Sequence, residues 1–342
     1  MIYKLLRPGI FTLDAERAHR LTIETLKLSP LRGPQAAGNL AVDVAGLHFP
    51  NPLGMAAGFD KDGEVPDAVL GLGFGFTEIG SLTPRPQAGN PKPRLFRLEK
   101  DRAVINRMGF NNGGLPAALL RLEKRHGRPG IVGINIGANK DSDDRIADYA
   151  VMARAVAPYA SYLAINVSSP NTPGLRALQD PQALGALIDG VKEAAGENAP
   201  PVFLKVAPDL LPADIDDIAR LAIAKRLGAL IVSNTTVERP NLTSCAAGEA
   251  GGLSGAPLRD LAQQRVRDFR KATGGAVPLV GVGGIGNAED AWARIRAGAS
   301  LVQLYSAMVY EGPGLAARIV AGLERLMRRD GFSSIAEAVG TE

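Results

Sequence analysis

The chain is poor in the residues that carry metal, disulfide and secretory chemistry. It has one cysteine, Cys245, so no intrachain disulfide can form, and that usage fits a reducing compartment. It has three histidines, His19, His48 and His126. No His/Cys group shows metal-ligand spacing, which argues against a zinc or iron–sulfur site. No run approaches the roughly 20 apolar residues of a membrane-spanning helix. No apolar h-region follows the N-terminal charge, so no signal peptide is expected. Lysine and arginine number 39 against 35 acidic residues, a net +4 spread without a basic run, which speaks against nucleic-acid binding.

What is present is apolar and periodic. A chain of 342 residues, 46% hydrophobic and 22% charged, can bury a large core. Eight short apolar or Gly-rich runs recur with helical patterns between most of them: 53–58, 75–81, 130–136, 162–167, 202–207, 229–233, 279–283 and 301–305. Continuous apolar character marks strands buried on both faces, as in parallel sheets. Caps support the helices between them. Asp180-Pro181 fits an N-cap followed by Pro at the first helical position. Asp209–Ala213 leads into a helix over 215–227 with Gly228 as its stop, and Asn287 opens a helix closed by Gly298. The fold class is therefore α/β, a (β/α)8 TIM barrel. Two hairpins are expected outside it, over 40–51 and 93–109, and the Gly/Ser/Ala-rich loop 236–255 reads as mobile.

The active site of such a barrel lies at the C-terminal ends of its strands. Here those ends carry Gly58-Phe-Asp-Lys61, Ser81, Asn135, Asn166 to Asn171, Lys205, Asn234-Thr235, Gly283-Gly284 and Tyr305-Ser306. The loop Asn166-Val-Ser-Ser-Pro-Asn-Thr-Pro173 gathers amides and hydroxyls between prolines that restrict its backbone. Asn106, Asn135, Asn166, Asn171 and Asn234 each donate and accept, which suits a ligand with alternating N–H and C=O groups such as a pyrimidine imide. Lys205 interrupts an apolar strand, where a cation needs an anion to face; Lys61 is a second cation, or a surface lysine after a turn. Gly281-Val-Gly-Gly-Ile-Gly286 follows the seventh strand, where this fold commonly binds phosphate. FMN meets that demand, and so does a phosphorylated substrate. Ser169 has no histidine near a strand end, which counts against a Ser–His–Asp hydrolase. It reads as a lone base toward an acidic carbon acid, or as a binding hydroxyl.

Residues 1–39 precede the barrel. Ala18, Leu21, Thr22, Thr25 and Leu26 form a stripe at helical spacing. Segment 1–32 carries six basic side chains (Lys4, Arg7, Arg17, Arg20, Lys27 and Arg32) against Asp14, Glu16 and Glu24. Two readings fit: a basic amphipathic element on an anionic membrane surface, or a helical hairpin packed on the barrel.

Several stretches resemble the dihydroorotate dehydrogenases, the quinone-dependent class 2 branch in particular. They include Asn51-Pro-Leu-Gly-Met-Ala-Ala-Gly-Phe-Asp-Lys61, Ile105-Asn-Arg-Met-Gly-Phe-Asn-Asn112, Ile165-Asn-Val-Ser-Ser-Pro-Asn-Thr-Pro-Gly174, Gly251-Gly-Leu-Ser-Gly255 and Leu301-Val-Gln-Leu-Tyr-Ser306. In order, they run the length of the barrel. The resemblance implies oxidation of dihydroorotate to orotate in pyrimidine biosynthesis, with FMN as cofactor and a membrane quinone, ubiquinone or menaquinone, as acceptor. Ser169 takes the catalytic-base position. Lys61, Asn106, Arg107, Met108, Gly109, Phe110, Asn166, Asn171, Asn234 and Thr235 match substrate-binding positions. Ala57, Gly58, Phe59, Asp60, Lys61, Ser81, Asn135, Asn166, Lys205, Ser233, Gly255, Gly284, Tyr305 and Ser306 match the FMN shell. His19, Arg97 and Tyr305 fall along the quinone tunnel, and no metal is implied.

The same resemblance makes 1–39 a helical membrane and quinone-access extension and 40–342 the catalytic barrel. The enzyme is expected to be peripheral, on the cytoplasmic side of the inner (plasma) membrane, and monomeric. Ser81 and Ser233 stand where many members have Thr, which keeps the hydroxyl and loses a methyl. The competing readings are a soluble class 1 enzyme using fumarate or NAD, a phosphosugar isomerase and a non-enzymatic membrane module.

Overall fold

A computed structural model describes residues 2–30, 33–36, 38–172 and 174–342. Arg32 of the basic segment and Pro173 of the polar loop lie outside the described residues.

Two helices come first, α1 (Ile2–Phe11) and α2 (Ala15–Lys27). Asp14 caps α2 by accepting from the N–H groups of Glu16 and Arg17. A hairpin of β1 (Val42–Val44) and β2 (Leu47–Phe49) follows, in the span expected for it. The barrel then begins with β3 (Leu53–Met55), α3 (Pro66–Gly71) and β4 (Phe76–Leu82). The second hairpin, β5 (Leu95–Leu98) and β6 (Ala103–Asn106), interrupts it above β4. Alternation resumes with α4 (Gly114–Arg125), β7 (Ile131–Ile136), α5 (Arg145–Val156), β8 (Tyr162–Asn166), α6 (Pro181–Ala195), β9 (Val202–Val206), α7 (Pro212–Ala224) and β10 (Ala229–Val232). Then come β11 (Gly252–Gly255), α8 (Arg259–Thr273), β12 (Leu279–Val282), α9 (Ala288–Arg296), β13 (Leu301–Leu304), α10 (Ser306–Glu311), α11 (Leu315–Arg329) and α12 (Ile335–Ala338).

The strands β3, β4, β7, β8, β9, β10, β12 and β13 pair in parallel in that order and close on themselves. This is the expected (β/α)8 barrel. Closure removes every edge, so the strands bury both faces and their apolar runs need not alternate. Phe49 of β2 meets Phe76 edge-on at 5.1 Å, and Tyr162 stacks on Phe203 at 4.3 Å, filling the lower barrel with rings.

Two local expectations give way. Gly228 does not stop α7. The helix ends at Ala224, Arg226 takes the left-handed turn at φ 49°, and the Gly228 N–H already bonds the Val202 carbonyl of the sheet. The loop 236–255, expected to be mobile, holds a strand: β11 pairs antiparallel with β6 and extends the second hairpin to three strands. Asp101 in the hairpin turn accepts from the Thr243 and Ser244 N–H groups, tying the loop's middle down as well.

Candidate active site

The strand ends open into one cavity of about 530 Å³. It runs from the inner faces of α1 and α2, past β5 and β6, to the loop after β12. The stripe Ala18, Leu21, Thr22, Thr25 and Leu26 lines its outer part, so these side chains wall a passage. Of the two sequence readings for the extension, the structure meets the packed hairpin: the helices lie on the barrel, with a hollow beneath them.

A polar layer separates the cavity from the aromatic lower barrel. Glu78 of β4 accepts from Asn135 Nδ2 at 2.7 Å, Tyr162 Oη at 3.0 Å and Gln303 Nε2 at 2.9 Å. Asn166 Nδ2 in turn donates to Asn135 Oδ1 at 3.2 Å and to Ser81 Oγ at 2.9 Å. Every member is buried, so each side chain is fixed by its neighbours rather than by water. Lys205, 5% exposed, reaches the same layer from β9. Burial pushes its ammonium pKa down, and the Glu78 charge partly restores it.

Above that layer sit the groups that face the cavity. Ser169 is 6% exposed and accepts at Oγ from the Asn171 N–H at 3.3 Å. Asn171 Nδ2 donates to Asn106 Oδ1 at 3.2 Å, joining the polar loop to the end of β6. Asn234 Nδ2 donates to Ser168 Oγ at 2.9 Å, and that hydroxyl donates to Asn166 Oδ1 at 3.1 Å. The four asparagines with Ser169 form a wall of two hydrogen-bonded sets, Asn106–Asn171–Ser169 and Asn234–Ser168–Asn166, which adjoin along the chain at Ser168-Ser169. Lys61 lines the cavity opposite them, its pKa pushed down to about 8, chiefly by burial. Neither Lys61 nor Lys205 has an ion-pair partner within 4 Å among the described residues.

At the inner end the chain turns through glycine. Gly284 has φ 75°, and a Cβ there would lie 2.3 Å from Arg259 Cα, so no larger residue fits. Ser306 shares a 2.7 Å hydrogen bond with Ser254 of β11. At the outer end, His19, Phe59 and Tyr305 form an aromatic triangle with centroids 5.6, 5.7 and 6.4 Å apart. His19 Nε2 lies 2.8 Å from the Phe59 carbonyl, which can only accept, so Nε2 carries the proton. Arg97 donates to the Phe11 carbonyl at 3.2 Å and to that of Leu13, closing the end of α1 with its guanidinium over the Phe11 ring.

Most expected site residues line this cavity: Ala57, Gly58, Phe59, Lys61, Ser81, Asn106, Met108, Gly109, Phe110, Asn166, Ser169, Asn171, Lys205, Ser233, Asn234, Thr235, Gly255, Gly284, Tyr305 and Ser306, with His19 and Arg97. Three expected residues do not. Arg107 points away, pairing with Glu249 at 2.7 Å and lying over Phe96. Asp60 is buried behind the wall, accepting from the Glu64 and Val65 N–H groups at 2.8 Å each, with its pKa raised to about 6 by burial. Asn135 acts from beneath, through Ser81 and Asn166. Sequence reasoning placed Ser168 in the polar loop but missed Ser254 and the Glu78–Tyr162–Gln303 floor. An acidic residue inside the apolar run 75–81 was the available signal for Glu78.

A family model described as dihydroorotate dehydrogenase matches residues 39–327. The chain belongs to the dihydroorotate dehydrogenase family. It is 68% identical to the dihydroorotate dehydrogenase (quinone) of Erythrobacter litoralis over 100% of both chains. It is 69% identical to that of Novosphingobium aromaticivorans over 99% of both. A crystal structure of DHODH from Eimeria tenella in complex with ferulenol superposes with a TM-score of 0.93 at 39% identity, covering 98% of each chain. Dihydroorotate dehydrogenases are flavin-dependent enzymes in general.

In this dihydroorotate dehydrogenase the passage histidine sets a pH limit. Burial, and secondarily the Lys61 charge, lowers the His19 pKa from 6.5 to about 4. Between those values the unfolded chain binds the proton that the folded one refuses, so the His19 contribution to stability falls as pH drops from 7 toward 4. The loss reaches at most about 3 kcal/mol. A His19→Asn variant should therefore lose less of its urea midpoint between pH 7 and pH 4.5 than the parent. Equal losses would mean that His19 does not titrate this way.

Proposed function

We propose that FMN is the flavin of this chain and that its quinone is one held in a membrane; the chain oxidises dihydroorotate to orotate in pyrimidine biosynthesis with a quinone as acceptor. The observation that carries this reading is the single cavity. It joins a wall of hydrogen-bonding amides and one serine to a glycine turn at one end and an apolar passage at the other.

The side chains suit FMN. Two cations that lack carboxylate partners face a space where an electron-rich ring and an anion would compensate them. The glycine turn leaves room for a phosphate against backbone N–H groups. Lys61, Ser81, Asn166, Lys205, Ser233, Gly255, Gly284, Tyr305 and Ser306 would hold the cofactor. Bound there, FMN would supply a two-electron acceptor between the substrate and the quinone.

The chain's own groups do the rest. Asn106, Asn166, Asn171 and Asn234 pair with the imide edge of the substrate, each amide meeting a C=O or N–H. Lys61 meets the substrate carboxylate, and that contact favours its protonated form against the burial that lowers its pKa. Ser169 takes the proton that leaves C5 as C6 gives up hydride, and its own hydroxyl proton passes to solvent in the cavity. The Asn171 N–H occupies one side of Oγ and orients its remaining lone pair.

The passage would admit the quinone, with residues 1–39 as the access extension and 40–342 as the catalytic barrel. No described helix is long and apolar enough to cross a membrane. Five large apolar side chains stand exposed on or beside α1 and α2: Leu5, Leu6, Leu13, Leu21 and Leu28. With Lys4, Arg7 and Arg17 around them, they suit a peripheral seat on an anionic surface, the cytoplasmic face of the plasma membrane.

The test is spectroscopic. Anaerobic dihydroorotate should bleach a flavin band at about 450 nm in the purified protein. A soluble quinone should restore it, while NAD and fumarate should not. A band that dihydroorotate leaves intact would overturn the substrate, and reoxidation by fumarate would overturn the acceptor.

A further inference from the structure

Behind the glycine turn lies a cation that the proposed reaction does not use. Arg294 of α9 is fully buried, the largest such side chain among the described residues. Its Nη2 donates to the Gly283 carbonyl at 3.0 Å and the Arg259 carbonyl at 3.1 Å. Its Nε and Nη1 have no hydrogen-bond partner, and no carboxylate lies within 4 Å of it among the described residues. The nearest candidate, Asp290, is engaged elsewhere, with Arg259 Nε at 2.9 Å and the Gly286 N–H at 2.9 Å. Gly281 lies flat against the arginine stem, for a Cβ there would come within 2.4 Å of Arg294 Cγ. Burial lowers the pKa only to about 10, so the guanidinium stays charged at neutral pH.

An unpaired buried charge is costly unless something offsets it. The two carbonyls that it holds belong to the two segments that line the inner end of the cavity, the turn after β12 and the start of α8. In a trans peptide the C=O and the next N–H point in opposite directions. Drawing the Gly283 carbonyl down to Arg294 thus turns the Gly284 N–H up, and that N–H has no acceptor among the described residues.

We infer that Arg294 is a positioning residue for a phosphate dianion. It fixes the donors of the glycine turn toward the cavity and places a buried positive charge beneath them. This rests on the FMN reading above, and the test separates the two. Flavin exchange on the holoenzyme, followed by fluorescence, gives the preference for FMN over riboflavin, which lacks the phosphate. The parent should prefer FMN strongly. Arg294→Met should reduce that preference by about tenfold or more, because charge-assisted contacts and an aligned donor are lost together. Arg294→Lys keeps the charge without the fork and should fall between.

An unchanged preference in Arg294→Met, even with both affinities lowered equally, would make Arg294 structural only and overturn the inference. If the methionine variant does not fold, the lysine variant decides: its preference must drop while riboflavin affinity holds, and no drop overturns the proposal. A parent with no preference for FMN would instead overturn the cofactor reading on which this one stands.

Discussion

Ser169→Ala should slow reduction of the bound flavin by dihydroorotate by about 10²- to 10⁴-fold, the range a positioned general base contributes. Flavin content should be unchanged. Ser169 is nearly buried, and its hydroxyl takes one hydrogen bond, from the Asn171 N–H. Among the described residues no side chain bonds that oxygen, so its removal should leave the asparagine wall standing. That wall is held by Asn171–Asn106, Asn234–Ser168 and Asn166–Ser81 contacts that do not pass through Ser169. A base deletion and a binding defect then give different signatures. The first lowers the limiting reduction rate at saturating dihydroorotate, and the second raises the concentration needed to reach it. Ser169→Cys sharpens the test, since a thiol ionises near pH 8.5 and its reduction rate should climb through that region. Unchanged reduction in the alanine variant would remove Ser169 from the base role.

Why the serine was visible in the sequence while its supports were not follows from what each residue does to a pattern. Asn166, Ser169 and Asn171 end an apolar strand within six residues, which breaks the hydrophobic run abruptly. Lys205 stands out for the same reason. Strand order was legible because each strand of a closed parallel barrel is a separate apolar run between capped helices. Glu78 was hidden because its partners come from three other strands, β7, β8 and β13, and only closure brings them together. Arg294 was hidden because it sits in α9 as an ordinary helix former. Gly228 misled because a glycine after a helical run usually marks its stop. Here the end of α7 is set by Arg226, and Phe203 and Pro201 crowd Gly228, a Cβ there lying 2.9 Å from each. Arg107 and Asp60 belong to stretches that follow the family's pattern, but neighbouring charges and free N–H groups turned them away from the cavity.

The second large effect concerns α1 and α2. Removing residues 1–39 should abolish reoxidation by quinone while leaving reduction by dihydroorotate within about threefold, since the amide wall is built without them. The extension is tied to the barrel through side chains outside that wall, although Arg94 reaches it by way of Asn90, which bonds the Asn171 carbonyl. Arg94, 6% exposed, grips Glu16 through two bonds of 3.0 and 2.6 Å, and Tyr3 donates to the Val309 carbonyl at 2.6 Å. Arg20 and Lys27 share Glu64 beside α3, and against the burial that would raise it those two cations hold its carboxyl down to about 2. Their loss exposes the rings of Phe59 and Tyr305, so the deletion alone does not separate a closed passage from a disturbed barrel. Thr22→Trp does. Thr22 lines the passage from α2 and bonds only its own helix, at the Ala18 carbonyl. An indole there fills the hollow without touching the Glu16 or Glu64 anchors. If it displaces two apolar quinone contacts of about 1.5 kcal/mol each, kcat/KM for quinone falls about 100-fold. The rate of reduction by dihydroorotate should not change. Equal losses in both half-reactions would assign the helices a structural role and send the quinone to another part of the surface.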